Sequence, residues 1–191
     1  MLEQLKEDHL LWYLNRGSGV VLVGVLTLAT VVGVLATSRA ASPRWPRFAT
    51  QSLHRSLSLL SVTLLAVHVV TAVVDTYVSG FVEITPLHAV VPFTSSYQRL
   101  WLGIGVLALD LLAAVVVTSL LRHRFTHTTW RRVHLLSYVA WALGVTHGYF
   151  IGTDARTSWA LGVTVVSVGA VLVAVLVRLR TLAHERAREY V

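Results

Sequence analysis

Apolar residues dominate five long blocks of this chain, at 17–38, 56–74, 100–121, 133–153 and 157–177, and the charged residues collect between them. Each block is close to the roughly 20 residues that an α-helix needs to cross the hydrocarbon core of a bilayer. Inside the blocks the ionisable side chains are His68, Asp110, His134 and His147. Pro43, Pro46, Pro86 and Pro92 all fall in the connections, where a residue without an amide hydrogen does least harm. The pattern predicts an all-α integral membrane bundle of five transmembrane helices.

Residues 17–178 then form one helical domain, preceded by a segment at 1–16 and followed by a tail at 179–191. Leu2, Leu5, His9 and Trp12 share one helical face, so the first segment reads as an interfacial helix. The first apolar block is too long for a signal peptide and lacks a small-residue cleavage pattern, so it reads as a retained helix. No soluble domain is expected before or after the bundle. Residues 81–98 are too broken by proline to span and read as a loop resting on the membrane surface.

Composition supports this class. The chain is 55% hydrophobic and 13% charged, with a mean hydropathy of +0.68, outside the range of water-soluble domains. A net charge of +7 raises nucleic acid as a partner, but the distribution of that charge has another explanation. Arg39, Arg44, Arg47 and Arg55 flank the first connection, Arg122, Arg124, Arg131 and Arg132 the third, and Arg178, Arg180, Arg186 and Arg188 the tail. The other side has Lys6, Arg16, Arg99 and Arg156. Short loops this asymmetric place the arginine-rich side in the cytoplasm. The amino terminus is then outside, the carboxyl terminus inside, and no nucleic-acid partner is expected.

The sequence contains no cysteine, and its single methionine is Met1. Disulfides, iron–sulfur clusters, thiolate zinc sites and covalently attached haem are therefore excluded. A metal centre would have to rest on histidine. No glycine-rich phosphate-binding fingerprint is present, so no flavin or nicotinamide domain is expected.

Histidine is where the polar pattern becomes unusual. His54 and His68 are fourteen residues apart on the second block and its approach, and His134 and His147 are thirteen apart on the fourth. At 1.5 Å per residue these spacings are about 21 and 19.5 Å. The two helices run the same way, because one crossing lies between them. His54 and His134 thus share a level near the arginine-rich side, and His68 and His147 share one near the opposite side. Ionisable groups inside a membrane are costly and usually functional. Two levels, each with an imidazole from either helix, suit two stacked porphyrins whose irons are held axially from both sides, an arrangement for electron transfer rather than oxygen binding.

Angular registry is less regular. At 100° per residue, fourteen positions leave about 40°, but thirteen leave about 140°. The fourth block must bend, change its winding, or present its two imidazoles from different flanks. Gly144, Gly148 and Gly152 recur beside His147. They either clear a strip for a flat ring or form a small-residue packing face.

Paired histidines spaced by fourteen on one helix and thirteen on another resemble the ferric reductase-like transmembrane domain. That superfamily includes ferric reductases, NADPH oxidases and the haem-binding membrane subunit of bacterial methionine sulfoxide reductase. The resemblance covers about Trp12 to Arg178. It implies two b-type haems between helices 2 and 4, with His54 and His134 on the inner one and His68 and His147 on the outer one. It also implies electron transfer from a cytoplasmic-side donor to an extracytoplasmic acceptor. The chain departs from the oxidases in lacking flavin and nicotinamide domains and in predicting five helices rather than six. A separate cytoplasmic flavoprotein reductase or quinol is then the donor, and the chain is the membrane subunit of an oxidoreductase. Two rivals stand beside this reading: a quinol-linked cytochrome b, and a haem-free scaffold or transport subunit whose histidines pack helices or relay protons.

Haem propionates need cations or donors at the membrane edge. Arg55, Arg131 and Arg132 lie near the inner ligands, and Arg99 and Arg156 flank the outer level. The same arginines also serve as topology anchors. Asp110 has two possible roles: accepting a hydrogen bond from the second nitrogen of a ligand ring, or joining helices through a serine or threonine. His123 and His127 read as solvated loop residues, and His88 as a surface-loop residue near the headgroups. Trp12, Tyr13, Trp45, Trp101, Trp130 and Trp159 fall at span ends, as an aromatic belt does.

Overall fold

The computed structural model describes residues 10–36, 46–75 and 84–189. Residues 1–9, most of the expected interfacial segment, lie outside the described residues, as do Arg39, Arg44, Trp45 and the start of the 81–98 loop. Among the described residues six α-helices follow in order: α1 Leu10–Ala36, α2 Arg47–Val74, α3 Pro86–Val90, α4 Arg99–Leu120, α5 His127–Ile151 and α6 Ser158–Glu189. No strand occurs among the described residues.

Local chemistry accounts for several of the ends. Pro46 sits at the cap position before α2 in extended conformation. Helix α3 starts at Pro86 behind a reciprocal cap, with the Thr85 hydroxyl accepting from the His88 amide and the His88 ring accepting from the Thr85 amide. Thr126 caps α5 by accepting from Thr129 N at 3.2 Å, after a 3₁₀ turn at Arg122–Arg124. Each cap satisfies a helix-start amide that otherwise has no intrahelical acceptor.

Two boundaries differ from the pattern-based expectation. Leu10 to Arg16 belong to α1 rather than to a separate segment. Trp12 and Arg16 lie one turn apart there, with the guanidinium over the indole at 3.9 Å, and such i,i+4 contacts extend a helix beyond its apolar block. Helix α6 likewise continues through the tail arginines to Glu189.

Four helices, α1, α2, α4 and α6, are long and apolar enough to cross a membrane. Helix α5 is not among them: three histidines, two arginines and several hydroxyl-bearing residues dilute its apolar average. Only 11–22% of each spanning window is buried inside the protein, so most of the apolar surface faces outward, as lipid-exposed helices require.

Helix α1 is the centre, packing against α2, α5 and α6, while α4 packs on α5. Small residues let these backbones approach: Ala29 on α1, Ala108 on α4, Ala140 on α5 and Ala174 on α6 are all buried, the usual basis of close packing where lipid offers no hydrophobic drive. Midway along the bundle, the Trp141 indole donates to Thr27 Oγ1 at 3.0 Å and fastens α5 to α1. Helices α2 and α5, which carry the four histidines, are not a closely packed pair. That separation is what defines the site.

Candidate functional site

Across the gap between α2 and α5 the imidazoles face one another in two pairs. His54 and His134 have ring centres 6.1 Å apart with planes at 71°. His68 and His147 have centres 6.5 Å apart with planes at 83°. Helix α5 is α-helical throughout, so of the three ways to reconcile a thirteen-residue spacing with two levels, a change of winding is not used.

Three of the four rings sit in the same kind of seat. His54 Nδ1 donates to Ala29 O at 2.9 Å, His68 Nδ1 to Asn15 O at 3.0 Å, and His147 Nδ1 to Trp101 O at 2.8 Å. Four residues beyond each accepting carbonyl stands a glycine, Gly33, Gly19 and Gly105, and the ring lies over it. A β-carbon at Gly33 or Gly19 would meet the imidazole Cε1 at 3.0 Å, and one at Gly105 would meet it at 2.6 Å. A bare backbone is therefore what allows the ring to reach a helical carbonyl. Because a carbonyl can only accept, Nδ1 carries the hydrogen, and in the neutral ring the Nε2 lone pair is left free. Fixing the tautomer in this way is what a metal-binding imidazole requires of its second nitrogen.

His134 differs. Its Nδ1 is buried and has no hydrogen-bond partner, and the ring is held instead by stacking on Trp130, centre to centre 5.0 Å. Around His68, Asn15 adds a second lock: its amide donates to His68 O at 2.8 Å and to Thr71 Oγ1 at 3.2 Å, pinning α1 to α2.

The His68 and His147 level opens into a cavity of about 680 Å³, lined also by Gly19, Gly105, Gly144 and Gly148. That volume lies within the roughly 300–1,000 Å³ of pockets that enclose organic ligands. At Gly144 and Gly148 nothing approaches within 4 Å of where a β-carbon would be, so both border open space. His54 and His134 do not line this cavity.

The arginines expected near the two levels stand at the surface. Arg55, Arg99, Arg132 and Arg156 are exposed and none lines the cavity; Arg99 Nε donates to Phe93 O at 2.7 Å. Among the described residues the arginine that lines the cavity is Arg16, ion-paired with Asp154. Asp110 makes no hydrogen bond to a ligand ring, since the rings that donate use backbone carbonyls, and it has no partner among the described residues. His88 borders the cavity while capping α3, and His123 and His127 are exposed.

Gly19, Gly33, Gly105 and Asn15 were not marked by the pattern of the sequence, although one signal was present. Gly19 and Gly33 are fourteen residues apart on α1, the same interval that separates His54 and His68 on the antiparallel α2.

Fold and site together define a helical membrane bundle with two facing imidazole pairs. Residues 10–154 match the family described as Domain of unknown function (DUF8596), and the chain belongs to that family. No curated protein and no solved structure matches the chain.

Proposed function

We propose that this chain is a membrane electron-transfer subunit that holds two b-type haems, one at each imidazole pair, as in the ferric reductase-like transmembrane domain. One observation carries the reading: the separation of the paired rings. Two imidazole nitrogens each roughly 2.0–2.1 Å from one ion on collinear bonds put their ring centres roughly 6.3 Å apart, and the two pairs lie at 6.1 and 6.5 Å. Among the described residues no three histidine, cysteine or acidic side chains converge on a point. Two ligands suffice only where the remaining positions of an ion come from another source, as the four porphyrin nitrogens do.

When bound, haem would supply one-electron redox chemistry, held by His54 with His134 and by His68 with His147. The chain's own residues orient the imidazole Nε2 atoms through the three glycine and carbonyl seats. They also exclude water with an apolar surround and keep the two levels apart at a spacing of about 21 Å along α2. Helix α5 is taken as the fifth crossing, its polar side chains turned to the bound group rather than to lipid. The arginine-rich end faces the cytoplasm, with a separate flavoprotein reductase or quinol as donor and an extracytoplasmic acceptor.

The test is an optical one. Protein purified in detergent from haem-replete cells should show a Soret band and, on dithionite addition, the sharp α and β bands of six-coordinate low-spin haem. A colourless preparation would contradict the proposal.

A further inference from the structure

Four ionisable side chains lie within the apolar blocks, and three of them, His68, His134 and His147, belong to the facing imidazole pairs. Asp110 does not. At 100° per residue it is turned about 140° from Gly105, where the His147 ring of α5 rests, and about 160° from the buried Ala108. It therefore stands on the side of α4 away from α5, half-buried and without a hydrogen-bond or ionic partner among the described residues. Towards the Arg99 end this side of α4 is covered, because the Phe93 ring lies against Gly103. Towards the Leu120 end it is open: Ala113, Ala114 and Val117 follow Asp110 by one and two turns, and all three are exposed.

Asp110 is eleven residues from Arg99 and ten from Leu120, about 15 Å from either end of α4. So short a side chain cannot reach water or headgroups from there, and a lone carboxyl in hydrocarbon is costly. Its partner has to come from protein. We infer that α4 pairs with α4 of a second copy of this chain, with the Asp110 carboxyls of the two copies bonded to each other. A two-fold axis along the membrane normal sets the two helices parallel and brings both carboxyls to one depth. A protonated carboxyl donates and accepts, so two of them are self-complementary, and the small Ala113 and Ala114 side chains let the backbones approach. A different helix bearing a cation would have to carry it to this same depth, whereas a second copy meets the depth by symmetry. The inference needs the membrane bundle alone and stands apart from the haem reading.

The chain has no cysteine, so Ala114→Cys supplies a single reporter thiol. Reconstituted alone in phosphatidylcholine vesicles and oxidised with copper phenanthroline, that variant should form a disulfide-linked dimer, while Val166→Cys on the exposed side of α6 should not. Energy transfer between labelled copies, followed as the protein is diluted in lipid, measures the affinity. It should be roughly tenfold weaker for Asp110→Leu, the loss of an interhelical hydrogen-bonded pair in a bilayer. Asp110→Asn should stay close to wild type, since its amide also donates and accepts. Both variants should keep the wild-type thermal midpoint, because Asp110 bonds to nothing in its own chain. The pairing is overturned by a wild-type chain that stays monomeric when reconstituted alone, as it would if another protein's cation met Asp110. It is overturned equally by a dimer that Asp110→Leu leaves intact, by equal losses in Asp110→Leu and Asp110→Asn, or by crosslinking through Val166→Cys as strong as through Ala114→Cys.

Discussion

Gly33 lies directly beneath the ring of His54, and Gly19 stands in the same relation to His68 one ladder-step away. On antiparallel helices the two glycines and the two histidines share a fourteen-residue interval, so one helix provides the seats that the other fills. Each seat also supplies the carbonyl four residues before its glycine, Ala29 O and Asn15 O. The arrangement couples helix packing to the chemistry of a ring nitrogen.

Adding one methyl group to a seat should therefore act on one level at a time. Gly33→Ala should perturb or remove the haem held by His54 and His134 and leave the other. Gly19→Ala and Gly105→Ala should act at His68 and His147, with Gly105→Ala the more severe because its β-carbon would overlap the ring more deeply. Overpacking of this kind costs about 1–3 kcal/mol. Separate reduced-minus-oxidised spectra of the three variants measure it, and losses that ignore this assignment would count against the seats.

Asn15 separates support from ligation. Its side chain ties α1 to α2 at His68 O and Thr71, but the acceptor for the His68 ring is its backbone carbonyl. Asn15→Ala should lower the thermal midpoint, through a stability loss of about 1 kcal/mol from the cross-helix hydrogen bonds, while retaining both haems. Loss of the His68-level haem at a temperature where the fold survives would show that the side chain matters more than the carbonyl.

The Thr27 and Trp141 link predicts an asymmetry. In Trp141→Phe the Thr27 hydroxyl still donates to Val23 O at 2.7 Å. Thr27→Val instead strands the Trp141 N–H in a buried site, at about 1–3 kcal/mol. Thermal denaturation monitored at the Soret band should thus rank Thr27→Val below a Trp141→Phe protein in which packing is largely conserved.

The angles between paired rings bear on magnetism. Under the two-haem proposal, imidazole planes near perpendicular, here 71° and 83°, leave the two iron dπ orbitals that overlap the ligand rings almost equal in energy, whereas parallel planes split them. Both oxidised haems should give strongly anisotropic low-spin electron paramagnetic resonance signals. Ordinary rhombic signals from both would mean that the rings turn on binding.

How much of this was legible beforehand follows from particular residues. The histidine ladders stand out because a polar group in an apolar block is conspicuous, and the direction of α5 relative to α2 follows from counting crossings. Seats were harder. A glycine in a membrane helix has several uses, and only the antiparallel register of α1 and α2 turns Gly19 and Gly33 into partners of His68 and His54. Gly105 needs the α4 and α5 register as well. The scarcity of cations on the side of Arg99 and Arg156 did not reveal that the Arg99 side chain donates to Phe93 O. Helix α1 ran longer than its apolar block because local contacts such as Trp12 with Arg16 are invisible to hydropathy.

Haem content per chain in the wild type and in four single variants tests the central claim most directly. The account predicts two haems per chain in the wild type by pyridine haemochrome assay. It predicts one in each of His54→Ala, His134→Ala, His68→Ala and His147→Ala, the first two sharing a residual spectrum and the last two sharing the other. Absence of haem from the wild type, or complete and indistinguishable loss from all four folded variants, would contradict it.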